Sequence, residues 1–218
     1  MRKPIEHYQA LVFDCDGVVL DSNSVKTEAF YQASLPYGED VAQAMVAYHV
    51  ANGGISRYRK FEYLLTQILS GRQVADELPL LLERYAALVR DGLLSCAVAP
   101  GLAALRESLP DSRWMIASGG DQAELREVFA LRGLSDYFKG GIFGSPDPKD
   151  LILQRERANG NLPQSALFLG DSRFDYQCAV SAGLDFIFLS AWSEFHDWPE
   201  YFADKNIDCM ASIAQLVP

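Results

Sequence analysis

The chain has little of what marks a disulfide framework, a zinc site or a nucleic-acid-binding surface. Its four cysteines, Cys15, Cys96, Cys178 and Cys209, are scattered and form no Cys-x-x-Cys pair, which argues against both a spaced zinc site and a disulfide scaffold. The three histidines, His7, His49 and His196, form no constellation with a serine or cysteine. Basic residues are few: 19 Lys and Arg against 29 Asp and Glu give a formal charge of -10 and a pI near 4.7. Such a balance argues against a surface built for nucleic acid or anionic lipid. It leaves room for a small anionic ligand, because a few cations gathered at one pocket, or a bound metal, set the local sign. No run reaches the ~18 apolar residues of a membrane span, and Met1 to Tyr8 is followed by no apolar leader segment. The expectation is a cytoplasmic protein, monomer or homodimer, with neither nucleic acid nor membrane as partner.

What is present supports a globule of one compact domain, or of a core carrying a smaller insert. Apolar residues make up 49% and charged residues 22% of 218 positions, without internal repeat or low-complexity linker. Four apolar runs end in polar loops: Gln9 to Phe13 before Asp14-Cys15-Asp16-Gly17, Arg113 to Ala117 before Ser118-Gly119-Gly120, Gly141 to Phe143 before Gly144-Ser145-Pro146, and Ala166 to Leu169 before Gly170-Asp171-Ser172. Helical patterns lie between them at Gly101 to Leu109, Asp121 to Arg132, Pro148 to Asn159 and Arg173 to Ala182. Asp121 with Glu124 three positions on reads as a capping box, and Pro148 suits a first turn. Alternation of this kind predicts an α/β, Rossmann-like, doubly wound parallel sheet with its ligand site beyond the carboxyl ends of the strands. From about Ser22 to Cys96 only helix-period patterns occur, at Ser24 to Leu35, Asp40 to Ala51, Ser56 to Leu69 and Val74 to Arg90. The boundaries are therefore set at 1–21 and 97–218 for the core and 22–96 for an inserted all-helical cap.

The strand-end loops hold the residues suited to chemistry. Asp14 and Asp16 stand two apart before Gly17, which lets the backbone turn sharply. Carboxylates so close repel each other unless a cation or proton is shared, so one can act as nucleophile while the other carries a proton; the alternative is a pair of solvated loop acids. Asp171 and Asp175 form a second acidic strand end that could give a hard cation its oxygen ligands, or Asp171 and Ser172 could simply cap a helix. Lys149 at a loop-to-helix junction could hold a phosphate as a point charge or be an exposed lysine. Ser118 and the backbone of Gly119 and Gly120 offer an anion site where a helix begins.

The order and spacing of the whole set resemble the haloacid dehalogenase superfamily through all four of its core motifs. The likeness spans about Gln9 to Gly183, with the helical insert between the first two motifs, as in the subfamily of phosphoglycolate phosphatases and β-phosphoglucomutases. The resemblance implies a magnesium-dependent enzyme in which Asp14 is nucleophile and metal ligand. Asp16 would be general acid and then general base, with its backbone carbonyl on the metal. Ser118, Gly119 and Lys149 would bind phosphate; Asp171 would ligate Mg2+, and Asp175 would ligate it through water or orient Lys149. The second aspartate, Asp16, disfavours dehalogenation, since the dehalogenases of the superfamily lack it.

Substrate choice is expected from the cap, where His49, Asn52, Arg57 and Lys60 concentrate polar and basic groups. Gly54-Ile55-Ser56-Arg57 resembles a turn of β-phosphoglucomutases whose arginine grips the phosphate that is not transferred, so Arg57 could hold a second anion; alternatively Ser56 caps an ordinary helix and the cations are solvated. The leading expectation is a phosphatase acting on a small phosphorylated metabolite, a sugar or sugar-acid phosphate, through an aspartyl phosphate. The second is a sugar phosphomutase of the β-phosphoglucomutase type, disfavoured because Gly170-Asp171 stands where those enzymes commonly carry Glu-Asp. A third is a non-catalytic phosphate-sugar binder, which intact Asp14, Asp16, Lys149 and Asp171 argue against.

Overall fold

The computed structural model describes residues 3–70 and 74–218, so the first two positions of the expected core segment lie outside it. The chain opens with β1 (Ala10–Phe13), then runs through four helices, α1 (Asn23–Ser34), α2 (Glu39–Ala51), α3 (Arg57–Tyr63, continued by a wide turn at Leu64–Ile68) and α4 (Val74–Ser95). After α5 (Leu102–Ser108) strands and helices alternate: β2 (Arg113–Asp121), α6 (Gln122–Leu131), β3 (Ile142–Ser145), α7 (Lys149–Ala158), β4 (Ala166–Gly170), α8 (Arg173–Ser181), β5 (Asp185–Leu189), α9 (Trp198–Phe202) and β6 (Asp208–Met210).

The strands form one six-stranded parallel sheet in the order β3-β2-β1-β4-β5-β6. Side chains alternate across the pleat, and the alternation divides the core in two. Leu11, Phe13, Trp114, Ile116, Leu167, Leu169, Ile187 and Leu189 face one apolar cluster; Ala10, Val12, Met115, Ala117, Ala166, Phe168, Phe186 and Phe188 face the other. The first cluster is covered by α5 and α6 and runs on without a break into the helical insert through Phe30, Met45, Phe61, Leu81 and Tyr85. The second is covered by α7 and α8. A sheet coated on both faces leaves only its strand ends for a site, and the order reverses at β1, where parallel sheets open a crevice.

The chain enters and leaves the helical insert at one place. Val19 to Asp21 pairs with Ala97 to Ala99 through Asp21 N–H to Ala97 carbonyl at 3.0 Å and Ala99 N–H to Val19 carbonyl at 2.9 Å. Two strands, β5 and β6, lie beyond the four expected. β5 is a short apolar run without the polar loop that drew attention to the others, and β6 is a three-residue edge strand whose burial is slight. Helix α4 runs five residues past the expected Arg90, with Pro79 accommodated near its start. No helix among the described residues is long and apolar enough to cross a membrane.

Candidate active site

Asp14 follows β1 directly and continues its ladder, its N–H bonded to the Leu169 carbonyl of β4 at 2.9 Å. The residue is 2% exposed; Oδ1 accepts the Cys15 N–H at 2.7 Å and Oδ2 lies 2.8 Å from Lys149 Nζ. Cys15 is wholly buried and acts as a small apolar filler. Gly17 has φ +73°, and a Cβ there would stand 2.1 Å from Asp171 Oδ2, so a side chain is excluded both by conformation and by space.

Asp171 follows β4 directly, in the same crevice. Its Oδ2 accepts Asn23 Nδ2 at 2.8 Å and its carbonyl accepts Ser193 Oγ at 2.5 Å. Asp175 sits in the first turn of α8, fully buried, with both oxygens engaged: Oδ1 by Lys149 Nζ at 2.5 Å, Oδ2 by the Ser172 N–H at 3.1 Å and Oγ at 2.6 Å. Ser172 Oγ caps Asp175 N–H in return, a complete capping box. The structural role open for Ser172 and a site role for Asp175 are thus the same interaction: capping fixes the carboxylate that holds Lys149.

Carboxylate oxygens of Asp14, Asp171 and Asp175 come within 4.8 Å of one another, all three residues buried. One ammonium, Lys149, contacts two of them. The surplus negative charge shows in the acids. Burial, then the charges of Asp14 and Asp175, push the Asp171 carboxyl well above its ordinary range. Burial raises Asp14 too, against the pull of Lys149. Lys149 is held protonated, because its two carboxylates outweigh burial. An all-oxygen, over-anionic donor set of this kind fits a hard divalent cation.

Three comparisons with known proteins bear on this geometry. The profile of the haloacid dehalogenase-like hydrolases matches residues 8–183. The chain belongs to that family. It resembles a phosphorylated carbohydrates phosphatase of Thermotoga maritima, 24% identical over 196 residues that cover 83% of this chain and 84% of the relative. A fructose-1-phosphate phosphatase of Escherichia coli is 28% identical over 189 residues, covering 83% and 95%, and a phosphoglycolate phosphatase of Pseudomonas putida 28% over 199, covering 83% and 68%. In fold the chain is similar to β-phosphoglucomutase of Clostridium difficile, with a TM-score of 0.73 at 17% identity over 96% of this chain and 93% of that one. It is an enzyme of the hydrolase class, similar in sequence to a phosphoglycolate phosphatase and in fold to a β-phosphoglucomutase.

Around the acidic centre of this hydrolase, Ser118 and Gly119 are not in a loop as the sequence suggests: β2 runs on through them to Asp121, with a register shift against β3. Helix α6 begins only at Gln122, so the Ser118 to Gly120 backbone is not itself the helix start. Ser118 Oγ accepts the Gly120 N–H at 3.0 Å and points to Asp16 Oδ2 at 3.5 Å. Asp121 caps α6 by accepting Glu124 N–H at 3.0 Å, but Glu124 does not reach back to complete a box; its carboxylate turns to Arg57 of the cap.

Asp16 leans toward the cap. Oδ1 accepts Ser22 Oγ at 2.6 Å, and Oδ2 accepts Lys26 Nζ at 2.5 Å. Burial opposes its ionisation, yet Lys26 and Ser22 hold its carboxyl below the usual range. Above it lies a cavity of about 820 Å³ between cap and core, lined in part by His49, Asn52, Arg57, Lys60, Glu194 and Phe195. All four cap residues expected to meet substrate therefore share its wall. Lys60 is 2% exposed with Nζ 2.7 Å from His49 Nδ1; burial and the nearby Lys26 push its pKa down to about 7. His49 keeps Nε2 without a hydrogen-bond partner, 3.7 Å from Glu194 Oε2. Asn52 bonds the Tyr48 carbonyl through Nδ2. The cap loop closes down on the core: a Cβ on Gly119 would lie 2.5 Å from the Gly54 carbonyl oxygen.

Sequence reasoning passed over Asn23, Lys26 and Glu194, and read Glu124 only as part of a helix cap. Asn23 and Lys26 carried a usable signal, since residues three apart at the start of α1 share a face, and that helix follows the Asp14–Asp16 loop at once. Glu194 carried none, because its approach to the cap depends on how the loop after β5 folds over the sheet edge. The aromatic residues after it, Phe195, Trp198, Tyr201 and Phe202, pack on the second core cluster.

Proposed function

We propose that this hydrolase is a magnesium-dependent phosphatase that cleaves a phosphorylated carbohydrate through an aspartyl phosphate on Asp14. The observation that carries the reading is Lys149: it touches the buried Asp14 carboxylate and is itself fixed by Asp175, so a phosphate oxygen that meets Lys149 brings phosphorus beside Asp14. Magnesium held by Asp14, Asp171 and the Asp16 backbone carbonyl would offset phosphate charge and let an anionic nucleophile approach an anionic ester. Asp175, with both oxygens engaged inside the protein, serves by orienting Lys149.

Asp14 attacks phosphorus and the P–O bond to the sugar breaks; Asp16, held ionised at rest by Lys26 and Ser22, would first take up the proton carried in by the singly protonated phosphate ester as the substrate displaces Lys26, and then give it to the departing sugar oxygen. In the second half Asp16 accepts the proton of a water that attacks the aspartyl phosphate. Lys26 shares Asp16 Oδ2 with whatever proton is transferred there, so the incoming ester oxygen must compete with its ammonium. Ser118 Oγ, beside the same carboxylate, is placed to donate to a phosphate oxygen.

The matching relatives named for phosphorylated carbohydrates and fructose 1-phosphate support the substrate class. The test is release of inorganic phosphate from a panel of sugar phosphates and phosphoglycolate, by wild type and Asp14→Asn, with magnesium or with chelator. Magnesium-dependent release that Asp14→Asn abolishes is the expected result. Conversion to an isomeric sugar phosphate without release would instead establish a phosphomutase, and inertness toward the whole panel would leave a binding protein.

A further inference from the structure

The cap arginine expected to hold a second anion already holds one. Arg57 is the first residue of α3 and 5% exposed. Nη1 donates to Glu124 Oε2 at 3.0 Å and Nη2 donates to Glu124 Oε1, a two-pronged pair that uses the guanidinium fork in full. The flat face of the group rests on Tyr85, 4.6 Å from its ring centre. Glu124 belongs to the core helix α6, so the pair also ties the cap to the core, beside a second tie from Tyr58 Oη to Asp121 Oδ2 at 2.8 Å.

The other groups of the cavity point the same way. Lys26 is engaged by Asp16 and Lys60 by His49. Arg173, at the rim, is exposed and stacks on Phe195 and Tyr201. The wall adds the carboxylates of Glu194 and Asp197, the unpartnered Nε2 of His49, and the rings of Phe30, Tyr85 and Phe195. Carboxylates, an imidazole and aromatic faces together match the hydroxyls and C–H faces of a neutral sugar; they repel a second phosphate or carboxylate.

Resting on the phosphatase reading, we propose that Glu124 is a built-in occupant of the Arg57 fork, and that the pocket thereby selects a sugar monophosphate with an uncharged, hydroxylated remote end. A substrate with a second anion must expel the Glu124 carboxylate from its pair with Arg57 and leave it in a partly buried site, where unpaired charge is costly. A phosphomutase, which has to rebind a bisphosphate intermediate, meets the same obstacle.

The test compares kcat/KM for fructose 1-phosphate and glucose 6-phosphate with that for phosphoglycolate, 6-phosphogluconate and fructose 1,6-bisphosphate, in wild type, Glu124→Gln and Arg57→Met/Glu124→Gln. Wild type should favour the neutral-ended substrates by roughly tenfold or more, Glu124→Gln should erode that ratio at least about tenfold, chiefly through lower KM for the charged ones, and the double variant should restore it. Because the ratio is internal to each preparation, partial misfolding cancels. An unchanged ratio in Glu124→Gln, or a wild type that prefers the doubly charged substrates, overturns the assignment; if Glu124→Gln does not fold, the wild-type preference decides alone. Absence of turnover on every monoester, by contrast, is failure of the phosphatase reading itself.

Discussion

Replacing Lys60 by methionine should flatten the dependence of stability on alkaline pH. The ammonium lies wholly inside the protein, 2.7 Å from His49 Nδ1 and 5.4 Å from the centre of the Phe30 ring, and its pKa falls from 10.5 to about 7. A base whose folded pKa is depressed binds fewer protons folded than unfolded, so unfolding takes up a proton anywhere between the two values. The destabilisation is nil above pH ~10.5, grows as pH falls, and levels off below pH ~7. With about 1.4 kcal/mol for each pKa unit, Lys60 costs the fold about 4 kcal/mol at pH 7 and about 2 kcal/mol at pH 9. The wild type should therefore gain about 2 kcal/mol relative to Lys60→Met between those pH values. The absolute change at pH 7 is smaller than the full linkage, because the variant leaves His49 Nδ1 without its donor, which costs about 1–3 kcal/mol. The difference between two pH values is free of that constant. Urea unfolding of both proteins at pH 7, 8 and 9 reads it directly. Parallel curves would refute the reasoning, showing that Lys60 keeps an ordinary pKa through water or an anion the cavity admits.

Two further outcomes follow from the same geometry. Lys149→Met removes the cation between Asp14 and Asp175, so it should lower stability by about 3–5 kcal/mol near neutral pH and abolish turnover; thermal unfolding together with phosphate release checks both, and an unchanged melting temperature would show that the two carboxylates are neutral. Gly119→Ala places a Cβ 2.5 Å from the Gly54 carbonyl and should prop the cap open, raising KM several-fold; steady-state kinetics with unaltered KM would mean that the two loops do not meet in the working enzyme.

The acidic centre was legible because its parts are local. Each residue stands within a few positions of an apolar run, and a strand of a parallel sheet delivers whatever follows it to the carboxyl edge; Asp14, Lys149, Asp171 and Asp175 meet there for that reason. β1 and β4 read as unbroken apolar runs because both faces of the sheet are buried, so which side chains face which layer was set by the pleat and not by any alternation in the sequence. Local pattern was misleading where two structures compete for one residue. Ser118 to Gly120 read as a loop but lies within β2, across a register shift between its pairings with β3 at Ala117 and Asp121, and Glu124 read as half of a capping box but is drawn off by the stronger attraction of a buried guanidinium.

Composition, the strand-end motifs and their order by themselves determined the α/β class and the family resemblance and singled out Asp14 as the candidate nucleophile, since these depend on residue type and short spacing. Only the tertiary structure decided the state of the cap. Whether Arg57 is open to a ligand, whether Lys26 rests on Asp16, and whether Asp175 meets Lys149 all depend on partners 10 to 67 positions away in the chain. Distances of that kind are set by packing, because charge pairs in a cavity form between whichever groups the surrounding apolar core brings within reach.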